Sequence, residues 1–396
     1  MTGPETNWNA ATLEGVDAFV FRAPCEVPLR TSFGVMHDRP AVLVRVRDSD
    51  GAQGWGEIWC NFPGVGADHR AALVRTVIAP LLTGAVLEFP SALSGSLQRR
   101  LEVLAIQSGE FGPIAQTLAG IDQALWDLAA RRLGLPLWRL LGGERGAIRV
   151  YASGLGPEGA VPAALAARER GHVAFKLKVG FDRTEDLRRL CALREALGAD
   201  ATLMVDANQA WDPDTAMQRC PELAELGVHW IEEPLRVDAP TEAWGRLAGH
   251  AGAALAAGEN LIGRASFEAA IATRALAVLQ PDVAKWGGVS GCLEVARSAL
   301  AAGLLYCPHY LGAGIGLRMS AHLLAAAGGD GLLEIDTNPN PLRELTCDGL
   351  PLVREGTLAL GTDPGIGPPP DLGALARFAS DRTASRSAST SPMRNG

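Results

Sequence analysis

The sequence predicts an α/β protein in which an α+β cap precedes a (β/α)-barrel. Three observations lead there. The chain has 396 residues, enough for a barrel of about 250 residues and a second module. From about residue 148, eight short apolar runs alternate with amphipathic helical stretches, at roughly the 30-residue spacing of a βα unit. Seven of those runs close on a charged residue or a histidine, and a barrel gathers its reactive groups at the C-terminal ends of its strands.

Residues 13–58 read as strands: VDAFVFRAP, AVLVRVRD and AQGWGEIW, the last two separated by a turn at 48–51. TSFGVMH, residues 31–37, is expected to form a loop between the first two. Residues 66–142 carry helical spacing, with Leu118, Ile121, Leu125 and Leu128 on one face of GIDQALWDLAARRLGLPLWRLLGG. Residues 1–140 thus form the expected cap. The barrel runs, RVYASG, VAFKLKVG, TLMVDAN, VHWIEEP, AALAAGEN, AVLQPDV, LLYCPH and GLLEID, fall within an expected catalytic domain of residues 141–355. Beyond them, PLVREGTLALGTDPGIG reads as a return strand pair or extended segment, and residues 356–377 are expected to run back to the cap. The Ser-, Thr- and Arg-rich tail, 378–396, has the composition of a disordered segment.

Composition excludes several classes. A formal charge of -8 offers no basic surface for nucleic acid. No segment reaches the roughly 20 uninterrupted apolar residues of a membrane span, and the first residues lack a signal-peptide pattern, so a cytoplasmic protein is expected. The seven cysteines show no CxxC spacing, which indicates reduced thiols rather than a zinc site or a disulfide framework. Of 36 basic residues only Lys176, Lys178 and Lys285 are lysine. A chain that otherwise uses arginine keeps an amine at these positions, and an amine can be tuned into a base where a guanidinium cannot.

Lys176 and Lys178 stand two apart on the second run, so a strand places both on one face, where burial and mutual repulsion should lower at least one pKa. The next three runs end in Asp206, Glu232 and Glu259, expected to converge on one point. Such carboxylates would repel one another, and a hard divalent cation resolves the conflict: oxygen ligands without histidine or thiolate favour magnesium, or manganese, over zinc. Each carboxylate taken singly could instead cap the helix that follows it. Strand alternation sends only one of Glu232 and Glu233 inward; Glu232 is expected as the ligand, with Glu233 supporting from behind. The sixth, seventh and eighth runs bring Asp282, His309 and Glu334. An aspartate beside a histidine fixes its tautomer and raises its basicity, as a general base requires.

These residues carry a family resemblance. FKLKVG at 175, DANQAW at 206, WIEEP at 230, GEN at 258, QPDVAKWGG at 280 and CPHY at 307 resemble, in order, the motifs of the mandelate racemase branch of the enolase superfamily. The likeness spans residues 13–375. It implies a modified TIM barrel, (β/α)7β, under an α+β capping domain, and a homo-oligomer that binds a small carboxylate substrate. It implies Lys178 as one base, Lys176 as the partner that lowers its pKa and meets the substrate carboxylate, and Asp206, Glu232 and Glu259 as ligands of Mg2+. His309 with Asp282 would act on the opposite face, Glu334 would donate a hydrogen bond to the enolate oxygen, and Asn208 would lie near the substrate. Lys285, past the strand end and out of phase with Asp282, is expected to support the site rather than act in it.

Removing a proton beside a carboxylate places a second negative charge on the same oxygens, so fixed positive groups are required. Bases on both faces leave two outcomes: return of the proton on the other side, or loss of a β-hydroxyl helped by His309. An acid-sugar or hydroxy-acid dehydratase is the leading expectation, a racemase or epimerase the next, a cycloisomerase the third. A barrel that binds a metal or ligand without turnover is the non-enzymatic alternative. Specificity is expected from the cap loops and from Tyr310: Phe33, Met36, Trp59 and Phe62 as an apolar roof, Ser32, His37 and Asn61 as contacts to hydroxyls, although each could equally pack the cap on the barrel.

Overall fold

The computed structural model describes residues 10–30, 34–347 and 352–380. The cap is a four-stranded sheet in the order β3-β2-β1-β4, built from β1 (Ala11–Arg30), β2 (Val35–Asp48), β3 (Gln53–Ile58) and β4 (Val86–Leu87). Alternation in β2 sends Val42, Val44 and Val46 into one apolar cluster and Ala41 and Leu43 into another, because both faces of this sheet are covered. The turn between β2 and β3 is tight because Asp48 accepts the N–H groups of Asp50 and Ala52 (3.1 and 2.8 Å). One expectation is corrected: residues 35–37, read as loop, belong to β2, where Val35 and Met36 pair with Arg30 and Leu29 and so satisfy their backbone polar groups.

Helix Phe111–Arg132 is buried almost all round from Ala119 to Ala130, lying between the cap sheet and the barrel. Glycine permits that approach. A Cβ at Gly54 or Gly56 would stand 2.1 or 2.0 Å from the carbonyl oxygens of Ala124 and Gly120 on this helix.

The barrel strands are β5 (Ala147–Leu155), β6 (Ala174–Lys178), β7 (Thr202–Asp206), β8 (Trp230–Glu232), β9 (Ala254–Ala257), β10 (Val278–Leu279), β11 (Leu305–Tyr306) and β12 (Leu332–Asp336). They pair in parallel and in chain order from β5 to β11, and β12 returns to pair with β5. At the remaining seam the Leu332 N–H donates to the Cys307 sulfur (3.3 Å). A hairpin, β13 (Val353–Arg354) and β14 (Thr357–Ala359), adds antiparallel to β5. The chain then runs back along the cap, where Ile366 N–H donates to Asp127 and Ala379 bridges Phe21. Among the described residues no helix is long and apolar enough to cross a membrane, and all seven cysteines are free thiols.

Inside the barrel, Tyr151, Ala174, Met204, Trp230, Ala256, Val278, Cys307 and Leu332 form one apolar cluster, a residue from each strand position in turn. This is the barrel floor. Because side chains alternate along a strand, the residues two further on share the same inward face. They are Ser153, Lys176, Asp206, Glu232, Gly258, Gln280, His309 and Glu334, so the floor is followed at once by a layer dense in charge.

Candidate active site

The second layer is one hydrogen-bonded network. Lys176, fully buried, lies 2.6 Å from Glu232 Oε1, 2.9 Å from Glu334 Oε1 and 3.8 Å from Asp206 Oδ2. Its Nζ stands 5.2 Å over the ring of Tyr151 in the floor. Glu232 Oε2 also accepts from Gln280 Nε2 (2.6 Å) and the Trp230 indole (3.3 Å), and Ser153 donates to Glu334. Lys178, at the mouth end of β6, reaches Asp206 Oδ2 at 2.5 Å. On the far wall the two ring nitrogens of His309 lie 2.7 Å from Asp282 and 2.7 Å from Glu259.

Charge in this chamber is set by neighbours against burial. Burial pushes the Lys176 ammonium down, but Glu232 and Glu334 hold it well above its ordinary value. Burial likewise lowers Lys178; Asp206 outweighs burial and the repulsion of Lys176, so the pKa is raised, not lowered as the paired lysines alone would suggest. Burial pushes Glu232 up to about 7, with Lys176 pulling against it and Asp206 and Glu334 reinforcing it. For Glu259, burial is overcome by His309 and Lys285, which hold it well below the usual carboxylate range. Burial would also lower His309, yet Glu259, Glu334 and the Asp282 hydrogen bond hold it well above its ordinary value.

Several side chains sit where their runs alone did not indicate. Glu334 accepts the Tyr310 N–H (3.2 Å) and the Ser153 hydroxyl, and Lys176, His309 and Lys178 overcome its burial and lower its pKa. Glu233 does not turn away. It follows the end of β8 with φ of 40°, outside strand alternation, and its buried carboxylate accepts from Asn260 at 2.9 and 3.0 Å; burial, then Glu259 and Asp206, raise its pKa well above normal. Lys285 also enters the chamber. A backbone turn back to the Asp282 carbonyl brings its ammonium 3.0 Å from Glu259 and 4.9 Å from the Trp59 ring centroid. Tyr310 sends only its backbone toward the site: its ring lies against Gly312 and Gly316, facing Glu57 of the cap.

Asn208, with φ of 44°, turns its N–H and amide onto Asp206 (2.8 and 3.2 Å). Asn61 donates to the Leu311 carbonyl (2.8 Å), Met36 is buried and His37 is exposed. Ser32 and Phe33 lie outside the described residues. Sequence reading missed Ser153, Gln280 and Asn260. The alternation that singled out Lys176 would have found the first two, because they occupy the same inward positions on β5 and after β10.

Asp206, Glu232 and Glu259 were expected to converge. They share one chamber, but among the described residues no three metal-binding side chains surround a common point. Each is drawn to its own nearest cation instead: Lys178, Lys176, and Lys285 with His309. The donor set nevertheless fits a hard cation. Asp206, Glu232 and Glu259 offer buried carboxylate oxygens on consecutive strand ends, the donor type a hard divalent cation takes, and the carboxylates of Glu233, Asp282 and Glu334 are buried beside them.

Comparison with known proteins identifies the family. Residues 15–142 match the family model of the mandelate racemase/muconate lactonizing enzyme N-terminal domain, and residues 160–374 match that of the enolase C-terminal domain-like family. The chain is 34% identical over 305 residues to the 3,6-anhydro-alpha-L-galactonate cycloisomerase of Streptomyces coelicolor, covering 75% of this chain and 82% of that one. A mandelate racemase/muconate lactonizing enzyme from Bordetella bronchiseptica RB50 superposes with a TM-score of 0.88 at 53% identity, over 93% of this chain and 100% of that one. The L-talarate dehydratase of Polaromonas sp. JS666, solved with Mg and L-glucarate, superposes with a TM-score of 0.82 at 29% identity, over 94% and 98% of the two chains.

Proposed function

Because the chain belongs to the mandelate racemase and muconate lactonizing enzyme family, and is an enzyme of the enolase superfamily, we propose that it dehydrates an acid sugar or related hydroxy acid with magnesium. The observation that carries this reading is the placement of two proton-handling groups on opposite walls. Lys178 stands on β6, and the His309–Asp282 pair follows β11 and β10, across the ring of strands.

In this reading Lys178, in its neutral amine form, takes the proton from the carbon beside the carboxylate. Lys176, fixed by Glu232 and Glu334, meets the carboxylate oxygens where charge develops. Asp206, Glu232 and Glu259 would hold the divalent cation, magnesium or manganese, which supplies charge neutralisation to the same oxygens. His309, oriented by Asp282, hands its proton to the β-hydroxyl, which leaves as water. The resulting enol tautomerises to a 2-keto acid. Asn208 and Trp59 border the substrate.

A second reading, cycloisomerisation, is favoured by one observation: Lys285 places an ammonium inside the chamber under the Trp59 roof. A screen of acid sugars with and without Mg2+ decides among these. A magnesium-dependent 2-keto product supports dehydration, and ring isomerisation without a ketone supports the alternative. Deuterium exchange without loss of water would indicate a racemase or epimerase. No exchange with any acid sugar would sink the proposal.

A further inference from the structure

The two walls of the chamber are held differently, and the cap accounts for the difference. β10 and β11 are only two residues long, and Asp282 and His309 lie three residues beyond them, joined by an isolated bridge. No ladder holds them there. Two adjacent cap residues do. Glu57, on β3, accepts the N–H of Ala313 at 2.6 Å and of Gly316 at 3.0 Å, both from the segment following His309. Gln123, on helix Phe111–Arg132, donates to the Val283 carbonyl, next to Asp282, at 2.8 Å. The two lock to each other: Gln123 donates to the Glu57 carbonyl (2.9 Å) and accepts the Glu57 N–H (3.1 Å).

Neighbouring bonds reinforce this grip, from Trp59 N–H to the Ala284 carbonyl (3.2 Å) and from Asn61 to the Leu311 carbonyl (2.8 Å). Gly54 and Gly56 allow it, since a side chain at either would push β3 off the helix and pull Glu57 from its partners. Glu57 and Gln123 are both buried, so every bond lost would leave a donor or acceptor without water.

We propose that Glu57 and Gln123 are positioning residues that set the geometry of the Asp282–His309 pair, so that the cap determines one catalytic wall while the β6 wall is independent of it. The proposal rests on His309 and Asp282 acting as a pair, as read above, but its test needs no substrate. In histidine-labelled, magnesium-loaded enzyme, the hydrogen-bonded Nδ1 proton of His309 should give a far-downfield resonance, assigned by its absence in His309→Gln. Glu57→Gln should broaden or erase that resonance and speed amide exchange over residues 309–316 by at least about tenfold, while exchange over β6 and β7 stays as in the wild type. Gln123→Met should do the same over residues 282–286, and serves if Glu57→Gln does not fold. An unchanged His309 resonance in a folded variant would overturn the proposal. So would loss of the whole fold in both variants, since these contacts would then serve folding alone.

Discussion

The β6–β8 wall and the β10–β11 wall carry comparable chemistry on unlike scaffolds. On the first, Lys176 and Lys178 pair in unbroken register with Met204 and Asp206, and Asp206 with Glu232, so each reactive side chain sits inside a backbone ladder. On the second, the reactive residues stand past strand ends and are held by side chains of another domain. Local pairing makes the first wall a property of its own segments. The second exists only when the cap is docked.

That contrast can be broken or sharpened experimentally. Lys178→Ala should reduce proton exchange on the most active acid sugar by about 10³-fold, whereas His309→Asn should remove elimination yet leave exchange at the Lys178 face. Equal loss of both in His309→Asn would show that the walls do not work separately. Trp230→Ala in the barrel floor should cost about 3–5 kcal/mol in denaturant unfolding, because the indole is fully buried and also donates to Glu232. A loss below about 1 kcal/mol would mean that the floor does not support the first wall.

Magnesium gives a test without turnover. Saturating Mg2+ at about 100 times its Kd should stabilise the wild type by about 2.7 kcal/mol, read as a rise in Tm, and Glu232→Gln should lose most of that rise. The second wall has its own pH signature. His322, on the helix Gly314–Ala327 that follows the His309 loop, accepts the Trp138 N–H (3.1 Å), and burial lowers its pKa to about 3. Since the folded value lies below the ordinary 6.5, its contribution to stability is present above pH 6.5 and is lost as pH falls toward 3. His322→Gln should therefore lose less Tm than the wild type between pH 7 and 4; an identical slope would contradict the assignment. The smallest effect is expected from Ser290→Ala, which removes the hydroxyl that donates to Asp122 (2.6 Å) and accepts the Trp126 indole N–H (2.8 Å) at the cap–barrel junction and should cost about 1–2 kcal/mol.

How much was legible beforehand divides along the same line. Strands with period-two alternation announced Lys176, Lys178, Asp206 and Glu232 from spacing alone, and the structure puts Lys176, Asp206 and Glu232 in one layer with Lys178 on Asp206 at its mouth side. Asp282 and His309 were legible as motif residues and are in contact, but nothing local to their runs indicated Glu57 or Gln123. Least legible were the residues whose backbone leaves the strand: Glu233 through a positive φ, Lys285 through a turn, Tyr310 through a ring that follows the helix start toward the cap.

By itself, then, the sequence determined the order of elements, the family, and which side chains line the inward face of each strand, because hydrophobic alternation and ladder register are local properties of a few residues. Only the tertiary structure decided which cation each carboxylate meets, that Glu334 accepts from Ser153 and the Tyr310 N–H, and where the Lys285 and Glu233 side chains end. Those outcomes depend on electrostatic balance and backbone turns among separate segments, 26 residues apart for Lys285 and Glu259 and far more for Lys176 and Glu334, and no short window of sequence contains both partners.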